Sequence, residues 1–106
     1  MIHEIALFLV KTDRIDAFTH AFDEVAHLLS RAKGYAAHQL MQGVETASHF
    51  YLIVQWQKLE DHTQGFETSE DHGAFMLALQ EYLAAEPIVH HVRTATSTKG
   101  IYSSTV

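Results

Sequence analysis

The run Phe50-Tyr51-Leu52-Ile53-Val54-Gln55-Trp56 restricts this chain more than any other stretch. It is dominated by aromatic and β-branched side chains, is too short for a typical helix, and carries apolar residues on both alternating faces. It therefore reads as a strand covered on both sides, central in a sheet. Tyr51 and Ile53 share one face, and Phe50, Leu52, Val54 and Trp56 share the other. After Trp56 the chain turns polar and reaches His62, and chemistry is expected where the strand gives way to Leu59, Asp61 and His62.

A second strand of the same kind opens the chain. Ile2 to Val10 is apolar at almost every position, with Ile5, Leu7 and Leu9 on one face and Ala6, Phe8 and Val10 on the other. Thr12 or Asp13 supplies an N-cap for a helix whose apolar stripe is Ile15, Phe18, Phe22, Val25, Ala26 and Leu29, and Gly34 is placed to end it. Tyr35 to Val44 reads as a strand, Gly43 to Ser48 as a hairpin loop, and Leu59 to Phe66 as an irregular or short helical piece. Thr68 and Ser69 are N-cap candidates for a second helix, with Asp71 completing a capping-box-like start from Thr68. Its stripe is Phe75, Met76, Leu79, Tyr82 and Leu83; Pro87 stops it, and Ile88 to Thr94 is the last strand.

The order is β-α-β-β-α-β, an α+β, ferredoxin-like arrangement of a four-stranded antiparallel sheet with both helices on one face. Residues 1–94 form the domain, and 95–106 form a tail that is either frayed or laid over a partner. Because strands one and three are apolar on both faces, the face away from the helices needs a cover. A homodimer that packs two such sheets together into an α/β barrel supplies one.

Composition removes several function classes. The chain has no cysteine, so thiol catalysis and cysteine-ligated metal sites are excluded. A net charge of −6 with scattered basic residues argues against nucleic-acid binding through phosphates. No apolar run reaches membrane-spanning length, and the start lacks a basic leader and cleavage site, so the cytoplasm is the expected compartment. No P-loop, dinucleotide fingerprint or serine-nucleophile motif is present. The nine histidines form no HExxH or HxH motif, and His90 and His91 leave their strand on opposite faces, so no metal site is expected.

The residues Phe50 to Trp56, then Leu59, His62, Phe66, Ser69, Ala74-Phe75 and Val92-Arg93, resemble the antibiotic biosynthesis monooxygenase (ABM) family of dimeric α/β barrels. The resemblance spans roughly residues 2 to 94. It implies a cofactor-free oxygenase in which an electron-rich phenolic substrate itself activates oxygen. The family's haem-degrading branch has an asparagine on the first strand, a tryptophan after the third and an iron-binding histidine on the second helix. This chain has no asparagine, and those last two positions fall near Gly65 or Phe66 and near Leu79.

The resemblance thus implies a monooxygenase acting on a small aromatic, quinol or polyketide-like substrate. The rival class is a non-catalytic ligand-binding or stress-related dimer on the same fold. The expected pocket lies between helices and sheet, lined by Phe22, Leu40, Trp56, Phe66, Phe75 and Tyr82. His62 and His72 are the candidate proton-handling groups, since a neutral imidazole can accept a phenol proton. For each there is an ordinary alternative: a solvated loop histidine for His62, a polar first turn for His72, and plain packing for Trp56 and Tyr82.

Overall fold

A computed structural model of the chain describes residues 1–97. The strands are β1 (Ile2–Leu9), β2 (Tyr35–Gln42), β3 (His49–Trp56) and β4 (Ile88–Val92), and the helices are α1 (Ile15–Ser30) and α2 (Glu70–Leu79). The sheet is antiparallel throughout, in the order β2-β3-β1-β4. This is the ferredoxin-like arrangement, with the two apolar strands β1 and β3 at its centre.

Strand alternation divides the sheet into two unlike faces. Ala6, Phe8 and Val10 join Phe50, Leu52, Val54 and Trp56 on the helix-covered face, and all seven are buried with Phe18, Phe22 and Leu29 of α1 and Phe75 and Leu79 of α2. Phe18 sits between Phe8 and Phe50, at ring-centroid distances of 5.6 and 5.0 Å. On the opposite face Ile5, Leu7 and Leu9 are only half-buried, and Met41, Tyr51, Ile88 and Val92 are exposed.

The connections differ from expectation in instructive ways. The N-cap of α1 is Arg14, one residue past Asp13 and two past Thr12: its N–H donates to the Lys11 carbonyl, and it makes no side-chain capping bond. Its side chain instead lies 4.7 Å over the Tyr82 ring. Strand β2 stops at Gln42 because the hairpin closes through Gly43 N–H to the His49 carbonyl. Ser69 caps α2, its hydroxyl accepting from the His72 N–H at 3.1 Å. That fixes the cap after Thr68, and Asp71 pairs with Arg31, the C-cap residue of α1, at 2.7 and 2.8 Å instead of closing a capping box. After Leu79 the chain tightens into a 3₁₀ turn, Gln80–Tyr82, before Pro87. Strand β4 ends at Val92, and from residue 98 the expected tail lies outside the described residues.

The segment after β3 is a π-helical turn, Asp61–Phe66, whose wider i→i+5 bond runs from the Glu67 N–H to the His62 carbonyl. It turns both His62 and Phe66 inward. Gly34, at φ +82°, makes the approach possible. Its carbonyl accepts from the Gln57 N–H at 2.8 Å, and a Cβ there would collide with the Asp61 side chain.

Candidate functional site

One end of the helix-covered face is polar. On β1 the alternation that buries Ala6, Phe8 and Val10 also buries Glu4, only 6 % exposed. A carboxylate there is expensive unless it is hydrogen-bonded. Two neighbours answer that need. Trp56 at the end of β3 donates its indole N–H to Glu4 Oε1 at 3.0 Å, and His62 places Nε2 3.3 Å from the same oxygen. The imidazole lies nearly parallel to the Trp56 indole, at a centroid distance of 5.3 Å, and is 2 % exposed. Its other nitrogen, Nδ1, is 2.7 Å from Nε2 of His91 on β4. His91 is the cross-strand partner of Glu4, which is why the two meet on the same face. Glu67, just beyond the π turn, brings Oε2 to 3.7 Å from His62 Nε2.

Burial sets the electrostatics. It pushes the Glu4 carboxyl up to about 7; the Trp56 hydrogen bond works against this and the nearby Glu67 charge reinforces it. Burial pushes His62 down to about 4, helped by the charges of His91 and His72. His72, packed edge-on against Phe66 at 5.3 Å, is lowered for the same principal reason. At neutral pH His62 and His72 are therefore uncharged, and Glu4 is the group poised to change its protonation.

Glu4, His62, Glu67 and His72 border a cavity of about 460 Å³ between the sheet and α2, within the size range of small-molecule sites. Its apolar walls include Phe8, Leu29, Phe66 and Phe75, and its polar groups include Glu4, His62, Glu67, His72 and Glu86. Among the described residues that line it there is no lysine or arginine. Also among the described residues, no group of three or more histidine, aspartate or glutamate side chains is placed to hold a metal ion.

The sequence pattern of the antibiotic biosynthesis monooxygenase family matches residues 1–78, most of this chain. The chain belongs to the antibiotic biosynthesis monooxygenase family. Within reach of this ABM protein is the uncharacterized YczJ of Bacillus subtilis (strain 168), 33 % identical over 91 residues that span 86 % of this chain and 96 % of YczJ. A Bordetella bronchiseptica structure that carries the family's name superposes with a TM-score of 0.86 at 28 % identity, covering 90 % of this chain and 97 % of that one. SnoaB, a cofactor-independent oxygenase from Streptomyces nogalater, shares the fold with a TM-score of 0.77 at 14 % identity over 91 % and 94 % of the two chains.

The ABM fold brings four of the sequence-predicted residues to the cavity: His62, His72, Phe66 and Phe75. The other four stand elsewhere. Phe22 is buried edge-on between Phe75 and His38, and Leu40 packs half-buried against the core from the outer strand β2. Trp56 lies behind His62 and reaches the site through its bond to Glu4, while Tyr82 is turned towards Arg14 by the 3₁₀ turn. His62 is no solvated loop histidine, because the π turn carries it inside.

Sequence reasoning missed Glu4, Glu67 and His91. Glu4 did leave a signal: it is the one charged residue between Ile2 and Val10, with the parity of the buried side chains. No helix among the described residues is long and apolar enough to cross a membrane.

Proposed function

We propose that this ABM protein is a cofactor-independent monooxygenase of the cytoplasm acting on a small aromatic, quinol or polyketide-like substrate. The observation that carries the reading is the cavity itself: apolar walls fit for a flat ring, and buried groups at one end that can take a hydroxyl proton. Removing that proton makes a phenol a far better electron donor, and a phenolate held in a dry site can pass an electron to dioxygen without help from a bound group. His62 and His72, both held neutral, serve as proton-handling groups, and Phe66 and Phe75 serve as walls. With three carboxylates and no lysine or arginine in the described lining, the cavity favours a neutral phenol over a phosphorylated or carboxylated one. The cofactor-independent chemistry named for SnoaB supports the same class.

The functional unit is a homodimer in which two sheets meet through the face bearing Ile5, Leu7, Tyr51 and Ile53, closing the α/β barrel. Sedimentation at micromolar concentration should show twice the 12.0 kDa chain mass; a stable monomer overturns the closed barrel.

The deciding assay mixes the protein anaerobically with a panel of hydroquinones and admits air. Oxygen uptake above the protein-free rate is expected for at least one neutral hydroquinone, and His62→Ala should lower it. Tight binding with no uptake by any of them would favour the non-catalytic ligand-binding class.

A further inference from the structure

We infer that Glu4 takes the substrate's proton and that His62 and His91 hand it on from the buried carboxylate to the edge of the sheet, the three side chains forming a proton relay. Glu4 lines the cavity, His62 Nε2 stands 3.3 Å from Glu4 Oε1, and His62 Nδ1 stands 2.7 Å from His91 Nε2. The path runs outward from two buried groups, Glu4 and His62 at 6 and 2 % exposed, to a half-buried His91 on the sheet's edge strand.

An imidazole with a partner at each nitrogen can serve in either tautomer. With Glu4 ionised, His62 Nε2–H donates to Oε1, and Nδ1 accepts from His91. With Glu4 protonated, the carboxyl donates to Nε2, and Nδ1–H donates to His91. The relay step converts the second arrangement into the first. The cycle starts with Glu4 ionised and both imidazoles in the Nδ1–H tautomer: the substrate O–H bond breaks, its electron pair stays on the substrate oxygen, and the proton lands on Glu4, giving the second arrangement. The carboxyl proton then passes to His62 Nε2 as the Nδ1 proton passes to His91 Nε2. His91 becomes the imidazolium and loses its own Nδ1 proton to water. With the cavity open again, water takes the His62 Nε2 proton as His91 gains one at Nδ1 and passes its Nε2 proton to His62 Nδ1, which restores both tautomers with Glu4 ionised. His62 is neutral before and after, so no charge is stranded in the interior.

The surroundings fit these roles. The groups facing Glu4 and His62 are Trp56 from β3, Glu67 beyond the π turn, His91 from β4 and His72 from α2, with Glu86 on the cavity wall. None is a lysine or arginine that would pin Glu4 as a permanent anion. A base works best with an affinity near the ambient pH, and Glu4 at about 7 meets that condition where His62 at about 4 does not. The phenolic donor comes from the reading above; the ionisation of Glu4 and its link to His62 and His91 do not depend on it.

The test uses the intact, isotopically labelled chain without substrate. Its single indole, Trp56, donates to Glu4 and reports on it. Across about pH 5 to 9 the Trp56 indole resonance should move in one step with a midpoint near 7. Over that step the His62 ring nitrogens should exchange tautomer without passing through imidazolium. Glu4→Gln should abolish both changes. An indole resonance flat through neutrality in the wild type, or a step retained in Glu4→Gln, overturns the proposal, and a wild-type titration decides it even if the variant folds poorly.

Where a hydroquinone is turned over, Glu4→Gln should lower kcat by about a hundredfold or more. His91→Phe should lower kcat with little change in KM, and added imidazole should restore part of it. Wild-type turnover by Glu4→Gln ends the role of Glu4 as base while leaving the oxygenase standing. Absence of turnover by the wild type ends the oxygenase reading, and the Trp56 titration still judges the relay.

Discussion

The two ends of the helix-covered sheet face are built from the same strands and the same alternation, yet they do opposite things. At one end Phe8 and Phe50 close on Phe18 of α1, and nothing polar is buried. At the other, two positions along β1 from Ala6, the same parity buries a carboxylate, and an indole and two imidazoles gather around it. The first end is what a small domain needs in order to fold. The second spends desolvation on groups that an apolar residue would replace with less strain on the fold, which is the pattern expected of a site and not of a core.

The contrast can be broken from either end. The largest effect belongs to the dry end. Phe18→Ala should cost about 3–5 kcal/mol in urea unfolding, since it opens a cavity among rings that have no polar partner to relax onto. A loss below ~1 kcal/mol would mean that this end is not the fold's anchor.

The polar end should reveal itself through pH. The folded chain holds the Glu4 proton up to about 7 against an ordinary 4.5, so the stability Glu4 contributes is full below about 4.5 and is lost as pH rises through 7. His62 runs the other way: its folded value is about 4 against 6.5, so its contribution is full above 6.5 and is lost as pH falls through 4. Between about 4.5 and 6.5 the two slopes oppose each other, and the wild type should look nearly flat there. Glu4→Gln removes one slope only. Its stability relative to wild type should rise between pH 4.5 and 7 by on the order of 2 kcal/mol, measured by urea melts at the two pH values. Parallel pH profiles would contradict the buried carboxylate.

The smallest effect sharpens the boundary of the site. Ser69→Ala removes the cap of the helix that carries His72 and should cost about 1 kcal/mol. Because the cap also fixes where α2 starts, ligand binding in the cavity should weaken in the same variant, whereas Phe18→Ala should leave the site's local contacts intact in whatever fraction stays folded.

Much of this architecture was legible in the sequence. The doubly apolar β1 and β3 announced their central places, the spacing of Phe18, Phe22 and Leu29 announced α1, and their order named the fold. His62, His72, Phe66 and Phe75 were legible as cavity residues because each lies on an element whose direction the local pattern fixes. The centre of the site was not legible, for a physical reason. Glu4 meets Trp56 across 52 residues and His62 meets His91 across 29, and both meetings depend on β1 lying between β3 and β4 in a particular register. The inward turn of His62 depends on a π turn, which has no simple periodic signature. The predicted linings Phe22, Leu40 and Tyr82 share a cause: apolar stripes tell which residues face the core but do not tell core from cavity.

The most direct test of the difference between the two ends is to titrate the labelled protein with a neutral hydroquinone and map the backbone amide shifts. Shifts concentrated at Glu4, Ala6, His62, Phe66, His72 and Phe75, with Phe18 and Val25 unmoved, are the predicted result. Shifts centred on Phe18 and Phe50 or on the open face around Ile5 and Tyr51, with the Glu4 end silent, would contradict it.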